Sequence, residues 1–279
     1  MTKKNLLLVI VVLMMVGCST ESQDEPEVKN EKTVVKLQFT PYEMESMTRA
    51  ATSIADYCSH LDVWLAEGEN VIEAHQSSGD AGFGTLTLTL DKTKTYTMYA
   101  VAHKCTSDAT LADGVISFPD DKVTHTMYYS TTFSPETTTE LSCLMERIVA
   151  LFRLQTSDAV PADAKKMRFT LRNVYNRWNV TTGGVNELDR EVTIDITSTQ
   201  NDGTVAFSVY AITTSEQTLH TVVVEALNQN DEVVQTRTFE NVPLRNGYKT
   251  TYRGAFFIDE EMSMTFTADD WNEYDVIDF

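Results

Sequence analysis

Apolar and polar residues alternate with a period of two through much of this chain, and no sustained helical repeat competes with that pattern. Successive side chains of a strand point to opposite faces, so such alternation describes a sheet with one buried face and one wet face. The stretch "TVVKLQFT" (33–40) puts Val35, Leu37 and Phe39 on one face and Lys36 and Gln38 on the other. "HLDVWLAEG" (60–68) repeats this with Leu61, Val63 and Leu65, leaving Trp64 on the opposite face, either exposed or against a second layer. Residues 84–103 read as two strands joined by a turn at 91–94, with Leu86, Leu88 and Leu90 and then Tyr96, Met98 and Ala100 facing the core. Further strands are predicted over 167–175, 191–197, 204–212, 220–227 and 233–244, with a hairpin turn at 228–231. Asn246-Gly247 turns into one more strand, and Met262, Met264 and Phe266 alternate near the C-terminus.

One stretch resists assignment. "LMERIVALFRL" (144–154) is denser in apolar residues and reads as a central strand or a short helix. Adjacent glycines in "TTGGVNEL" (181–188) lie between strands and mark a hairpin loop, and residues 66–84 read as polar loop. Short strands punctuated by turn residues imply an all-β fold of sandwich type. About 260 residues beyond the N-terminal segment suit two domains of ~130 residues. "TSDAVPADAKK" (156–166), polar and with a proline, is the best candidate for a domain junction or a long loop, and as a junction it divides the strands into 33–157 and 158–279.

The N-terminus differs in character. Lys3 and Lys4 precede an unbroken apolar run over 6–16. The run is shorter than the ~20 residues a membrane helix needs and fits a secretory signal, removed on export. Met15-Val16-Gly17-Cys18 resembles a bacterial lipobox, which makes 1–17 the signal and Cys18 the lipidated first residue of the mature chain. An ordinary cleavage site would want small residues where Met15 and Val16 stand. Residues 18–32 are acidic, contain a proline and have no apolar cluster, as a flexible tether would.

Charge limits the partners. The net charge of -19 becomes -21 once Lys3 and Lys4 leave with the signal (-19 minus 2). Such a surface repels phosphate backbones, so nucleic acid is not an expected partner. No phosphate loop, nucleophile elbow or HExxH motif occurs, and the dispersed carboxylates single out no acid–base pair. Neither enzymatic activity nor a cofactor is expected. The metal-like spacing is Cys58 and His60 with His103 and Cys105, since residues two apart share a strand face and the four could form a Cys2His2 set. The competing readings are a Cys58–Cys105 disulfide and two core histidines. With Cys143, an oxidising compartment permits one disulfide and leaves one thiol, and spacing does not say which. Polar stretches such as 228–232 lack EF-hand spacing, and Trp64, Trp178 and Trp271 are the aromatics open to sugar stacking.

Several features in order resemble the fimbrillin family, subunits and anchors of the type V pili of Gram-negative anaerobes. They are the lipobox at Cys18, "TVVKLQFT" followed by "MTRAA" (47–51), "YTMYAVAH" (96–103), "LMERIVALFRL", and "ENVPLRNGYKTTYRGAFF" (240–257). The resemblance implies two tandem transthyretin-like β-sandwich domains, a surface-exposed lipoprotein at the outer membrane, and assembly with other fimbrial subunits by strand exchange. Host or bacterial surface ligands are further implied partners. The position matching the family's processing site is Arg49, with Ala50 starting the processed chain. In an uncut anchor, Arg49 is one solvated charge and the first strand stays in place. The C-terminal stretch is then the candidate donor strand, with Met262, Met264, Phe266, Trp271, Tyr274, Val276 and Phe279 as its apolar residues. The alternatives are pairing of that stretch within its own domain and, for the whole chain, a glycan-capturing surface lipoprotein.

Overall fold

The computed structural model describes residues 31–42, 53–197 and 205–258, and the backbone alone of 265–270. The first nine strands are β1 (Lys32–Pro41), β2 (His60–Glu67), β3 (Asn70–Ser77), β4 (Thr85–Asp91), β5 (Tyr96–His103), β6 (Thr110–Ala112), β7 (Val115–Ser117), β8 (Thr126–Phe133) and β9 (Glu140–Arg147). Seven of them hydrogen-bond in the order β3-β2-β5-β8-β9-β1-β4. β8 and β9 meet only through Met127–Arg147 and Tyr128–Glu146, so the sheet folds at that corner and its two arms face each other. Val35, Leu37 and Phe39 of β1, Leu86 and Leu90 of β4 and Met145 of β9 pack there against Leu61, Val63 and Leu65 of β2 and Met98 of β5. The period of two in the sequence becomes the inner face of a β-sandwich.

The remaining strands are β10 (Ala150–Thr156), β11 (Lys166–Asn179), β12 (Gly183–Asp195), β13 (Val205–Ala211), β14 (Thr218–Leu227), β15 (Val233–Leu244), β16 (Tyr248–Gly254) and β17 (Thr265–Asp270). One sheet runs β13-β10-β16-β17, and the other runs β15-β14-β11-β7-β6 with β12 also paired to β11. Phe152, Phe169, Phe207 and Phe239 fill the space between them. Phe152 lies 6.2 Å from Phe169 and 6.0 Å from Phe239, at tilted or edge-on angles that aromatic pairs favour. Among the described residues the helical content is two single 3-10 turns, Ile54–Asp56 and Pro119–Asp121, and no helix is long and apolar enough to cross a membrane. The fold is all-β, as the alternation requires.

A third apolar cluster joins the two sets of strands. Trp64, Val101, Cys105, Ile116, Phe118, Val149 and Ile212 are its buried members. Trp64 is 1 % exposed, so the outer face of β2 meets a second layer and carries no sugar platform. The β6–β7 hairpin extends the second set's sheet, with Ile116 opposite Trp178.

Several expectations change here. "LMERIVALFRL" is neither one strand nor a helix: it breaks at Ile148–Val149, and β9 and β10 belong to different sheets. The switch between the two strand sets therefore falls at 148–149, whereas 156–166 connects β10 to β11 within the second set. Ile148 and Val149 are 5 % and 0 % exposed, so no polar or turn residue marks the crossing. Residues 70–77, read as loop, form the edge strand β3, which has no buried face: Val71 and Ile72 are exposed along with Asn70 and Glu73, so no alternation marks it.

Candidate functional site

β1 occupies an interior position in its sheet. It pairs antiparallel with β4, Leu37 facing Leu86, and parallel with β9, Phe39 facing Cys143. Val35 and Leu37 have no exposed surface and Phe39 has 3 %. Each such side chain contributes about 1.5–3 kcal/mol of burial, so three of them hold β1 by several kcal/mol. Taking β1 away would leave a slot with two unpaired strand edges, at β4 and at β9. The chain leaves the slot at Tyr42 and re-enters the described structure at Ser53, whose Oγ accepts the Ala55 N–H while its own N–H reaches the Asp56 carboxylate. Arg49 and Ala50 lie outside the described residues, as does Cys18. At the other end, Phe266 falls on β17, which pairs antiparallel with β16 so that Tyr252 faces Phe266. Met262, Met264, Trp271, Tyr274, Val276 and Phe279 lie outside the described residues.

A cleft of ≈ 790 Å³ opens where the two strand sets meet, with Tyr128 and Arg147 from the first and Tyr175, Trp178, Asn246 and Tyr248 from the second. The Tyr128 hydroxyl donates to the Val180 carbonyl at 3.1 Å, and the Tyr128 and Trp178 rings lie 5.6 Å apart. Trp178 Nε1 is buried with no hydrogen-bond partner. Asn246 locks one rim, its Oδ1 accepting from the Thr213 N–H at 2.9 Å and the Thr213 hydroxyl at 3.0 Å. The Arg245 guanidinium lies over Tyr248 at 4.2 Å, a cation–π stack. The adjacent glycines of the sequence open β12 beside this cleft. A Cβ on Gly184 would stand 2.6 Å from Tyr175 Cδ2 and 3.1 Å from the Thr213 carbonyl, so glycine permits the close approach that shapes the wall. Sequence reasoning named Trp178 as a candidate binding residue and Asn246 and the adjacent glycines as turn residues only; these residues come from five separate segments that share no spacing.

The proposed Cys2His2 set does not assemble. His60 and His103 do stack, 5.4 Å apart and 6° from parallel. His103 Nε2, however, donates to Asp62 Oδ2 at 2.8 Å, Cys105 Sγ donates to the Lys122 carbonyl at 3.3 Å, and Cys58 Sγ lies 3.8 Å from His125 Nδ1. Burial opposes a charge on His103, but the Asp62 hydrogen bond and the Cys105 contact outweigh it and raise its pKa to about 9. Cys58, Cys105 and Cys143 are all buried thiols, so the permitted disulfide is not formed. Burial pushes the Cys58 and Cys143 thiols up to about 12, which makes them packing groups and not nucleophiles. Among the described residues the group with metal-ligand geometry is instead Asp62, His75 and Asp108, which no sequence spacing announced.

Solved structures share this fold at low identity. A candidate cell adhesion protein from Bacteroides ovatus is 16 % identical, with a TM-score of 0.50 over 88 % of this chain and 100 % of its own. A candidate adhesin from the same species is 12 % identical, with a TM-score of 0.55 over 86 % and 98 %. The fimbrial anchor protein Mfa2 from Porphyromonas gingivalis is 10 % identical, with a TM-score of 0.50 over 85 % and 97 %. Among curated protein sequences none matches. Residues 118–276, more than half of the chain, match one family model, and the chain therefore belongs to the family of unknown function DUF6562.

Proposed function

We propose that the chain is a non-enzymatic, lipid-anchored surface protein of the outer membrane that builds or anchors an adhesive fimbria by exchanging strands with neighbouring subunits. The observation that supports this most is the position of β1. It is a single strand near the N-terminus, enclosed between β4 and β9, and buries Val35, Leu37 and Phe39. A vacated slot of that kind presents free N–H and C=O groups on both sides and apolar pockets at period two, which is what a donated strand recognises. Cleavage after Arg49 would release β1 together with Cys18 and its lipid. An uncut chain would keep β1 and offer its C-terminal residues to a partner. Fold relatives that include a fimbrial anchor protein fit either role.

Mapping the mature N-terminus on protein from cells separates the two roles, with acylated Cys18 marking an anchor and Ala50 a processed subunit. Fibre membership is read from extracted filaments and SDS-resistant ladders. A chain lacking 271–279 should stay folded and surface-bound yet fail to enter filaments. A chain never found in filaments, whatever its N-terminus, would refute the assembly role.

The aromatic cleft favours a second reading, capture of a glycan at the surface. Tyr128, Tyr175, Trp178 and Tyr248 supply ring faces beside the polar Asn246 and Arg147, the mixture that sugar rings and hydroxyls need. One fold relative is a candidate polysaccharide-binding protein from Bacteroides thetaiotaomicron, 9 % identical over 85 % of this chain and 96 % of its own, with a TM-score of 0.52. Affinity for a cell-surface polysaccharide that Trp178→Ala abolishes would establish this role, and its absence in the intact protein would remove it.

A further inference from the structure

Asp62 lies on β2 with no exposed surface, and its two oxygens are used unequally. Oδ2 accepts from His103 Nε2 at 2.8 Å and from the Ala109 N–H at 2.9 Å. These two bonds fix the carboxylate plane and aim Oδ1 at the edge of the sheet. There it meets His75 Nδ1 at 2.7 Å, on the residue directly opposite Asp62 in the β2–β3 register. The His75 side chain is 33 % exposed, so solvent reaches this end of the pair. Asp108 precedes Ala109, and the bond that pins the Ala109 N–H on Asp62 also delivers the Asp108 carboxylate. Ligand atoms of Asp62, His75 and Asp108 all lie within 4.8 Å of one another.

We propose that Asp62, His75 and Asp108 bind one divalent cation of the zinc class, which clamps the edge strand β3 to the 104–109 segment. Two carboxylates balance a 2+ ion, and an imidazole nitrogen favours zinc and its neighbours over calcium or magnesium. Zinc bonds of ~2.0–2.2 Å place neighbouring ligand atoms roughly 3–3.5 Å apart, so the 2.7 Å Asp62–His75 pair opens by less than about 1 Å to admit the ion. His103 and Ala109 are the outer partners that hold the Asp62 ligand in place, an arrangement typical of metal carboxylates. Water completes the coordination on the exposed side. The site is independent of the fimbrial reading and of the cleft.

The test is titration calorimetry of the untagged purified protein, stripped with chelator, against Zn²⁺ alone. One saturable equivalent is expected. His75→Gln and Asp108→Asn each remove a ligand from a side chain at the surface, and should weaken binding at least about tenfold while the circular dichroism spectrum stays unchanged. Lack of saturable binding overturns the proposal. So does binding that either variant retains at full strength, because the ion then sits elsewhere.

Discussion

His125 offers a sharp test of how the interior of this protein handles charge. Its ring stacks on Tyr57 at 5.3 Å, meets Tyr210 edge-on at 5.9 Å, and accepts a hydrogen bond from Arg147 Nε at 3.2 Å. Burial, then the Arg147 cation and Lys104, lower its pKa to about 3. In the unfolded chain the ring titrates near 6.5. Between those values the unfolded state binds a proton that the folded state refuses, so the stability His125 contributes is present above pH 6.5 and is lost as pH falls toward 3. At 1.36 kcal/mol per pH unit, moving from pH 7.5 to 4.5 costs about 2.7 kcal/mol through this residue alone. Urea unfolding at the two pH values measures the total, to which titrating carboxylates also contribute. His125→Gln keeps an acceptor for Arg147 and cannot be protonated, so the variant should lose about 2.7 kcal/mol less than the parent over that interval. Equal losses in the two proteins, within about 0.5 kcal/mol, would refute the assignment of a buried neutral imidazole.

Three further outcomes follow from the packing. Leu37→Ala empties the centre of the β1 slot, where Leu37 is fully buried, and should cost about 2–5 kcal/mol in urea unfolding. Gly184→Ala drives a methyl into Tyr175 and the Thr213 carbonyl and should cost about 1–3 kcal/mol, with a change in the tryptophan fluorescence that Trp178 reports from the cleft. Asp158 accepts the N–H groups of Phe256, Phe257 and Ile258 at 2.9, 2.5 and 3.0 Å, so Asp158→Ala should cost about 1–3 kcal/mol and speed amide exchange at 256–258.

The alternation was informative because it reports one local quantity, which side of a strand is dry. It located β1, β2, β4, β5, β11 and the strands from β13 to β16 closely, with 233–244 matching β15, but of β12 it found only the C-terminal part, because 183–188 read as loop. Trp64 shows where that logic stops. Period two put it opposite Leu61, Val63 and Leu65, which is correct, but whether that second face met water depended on a layer brought by Ile116 of β7, Val149, Ile212 and the 105–123 segment. The break at Ile148–Val149 failed for the same reason, since two buried apolar residues carry no local mark of a change of sheet. Cys58 and Cys105 kept their spacing with the histidines, yet each thiol found a nearer partner once β5 and the 104–124 segment were placed.

The residue pattern by itself determined an all-β chain built from alternating strands and a strongly acidic net charge. Burial and charge act on each residue through its immediate neighbours, so they can be read in order along the chain. Tertiary structure alone decided that β1 is enclosed between β4 and β9, that a cleft forms where the two strand sets meet, and that Asp62, His75 and Asp108 converge at an edge. Each of these depends on residues far apart in sequence, and sheet register, not spacing along the chain, sets the distances between their atoms.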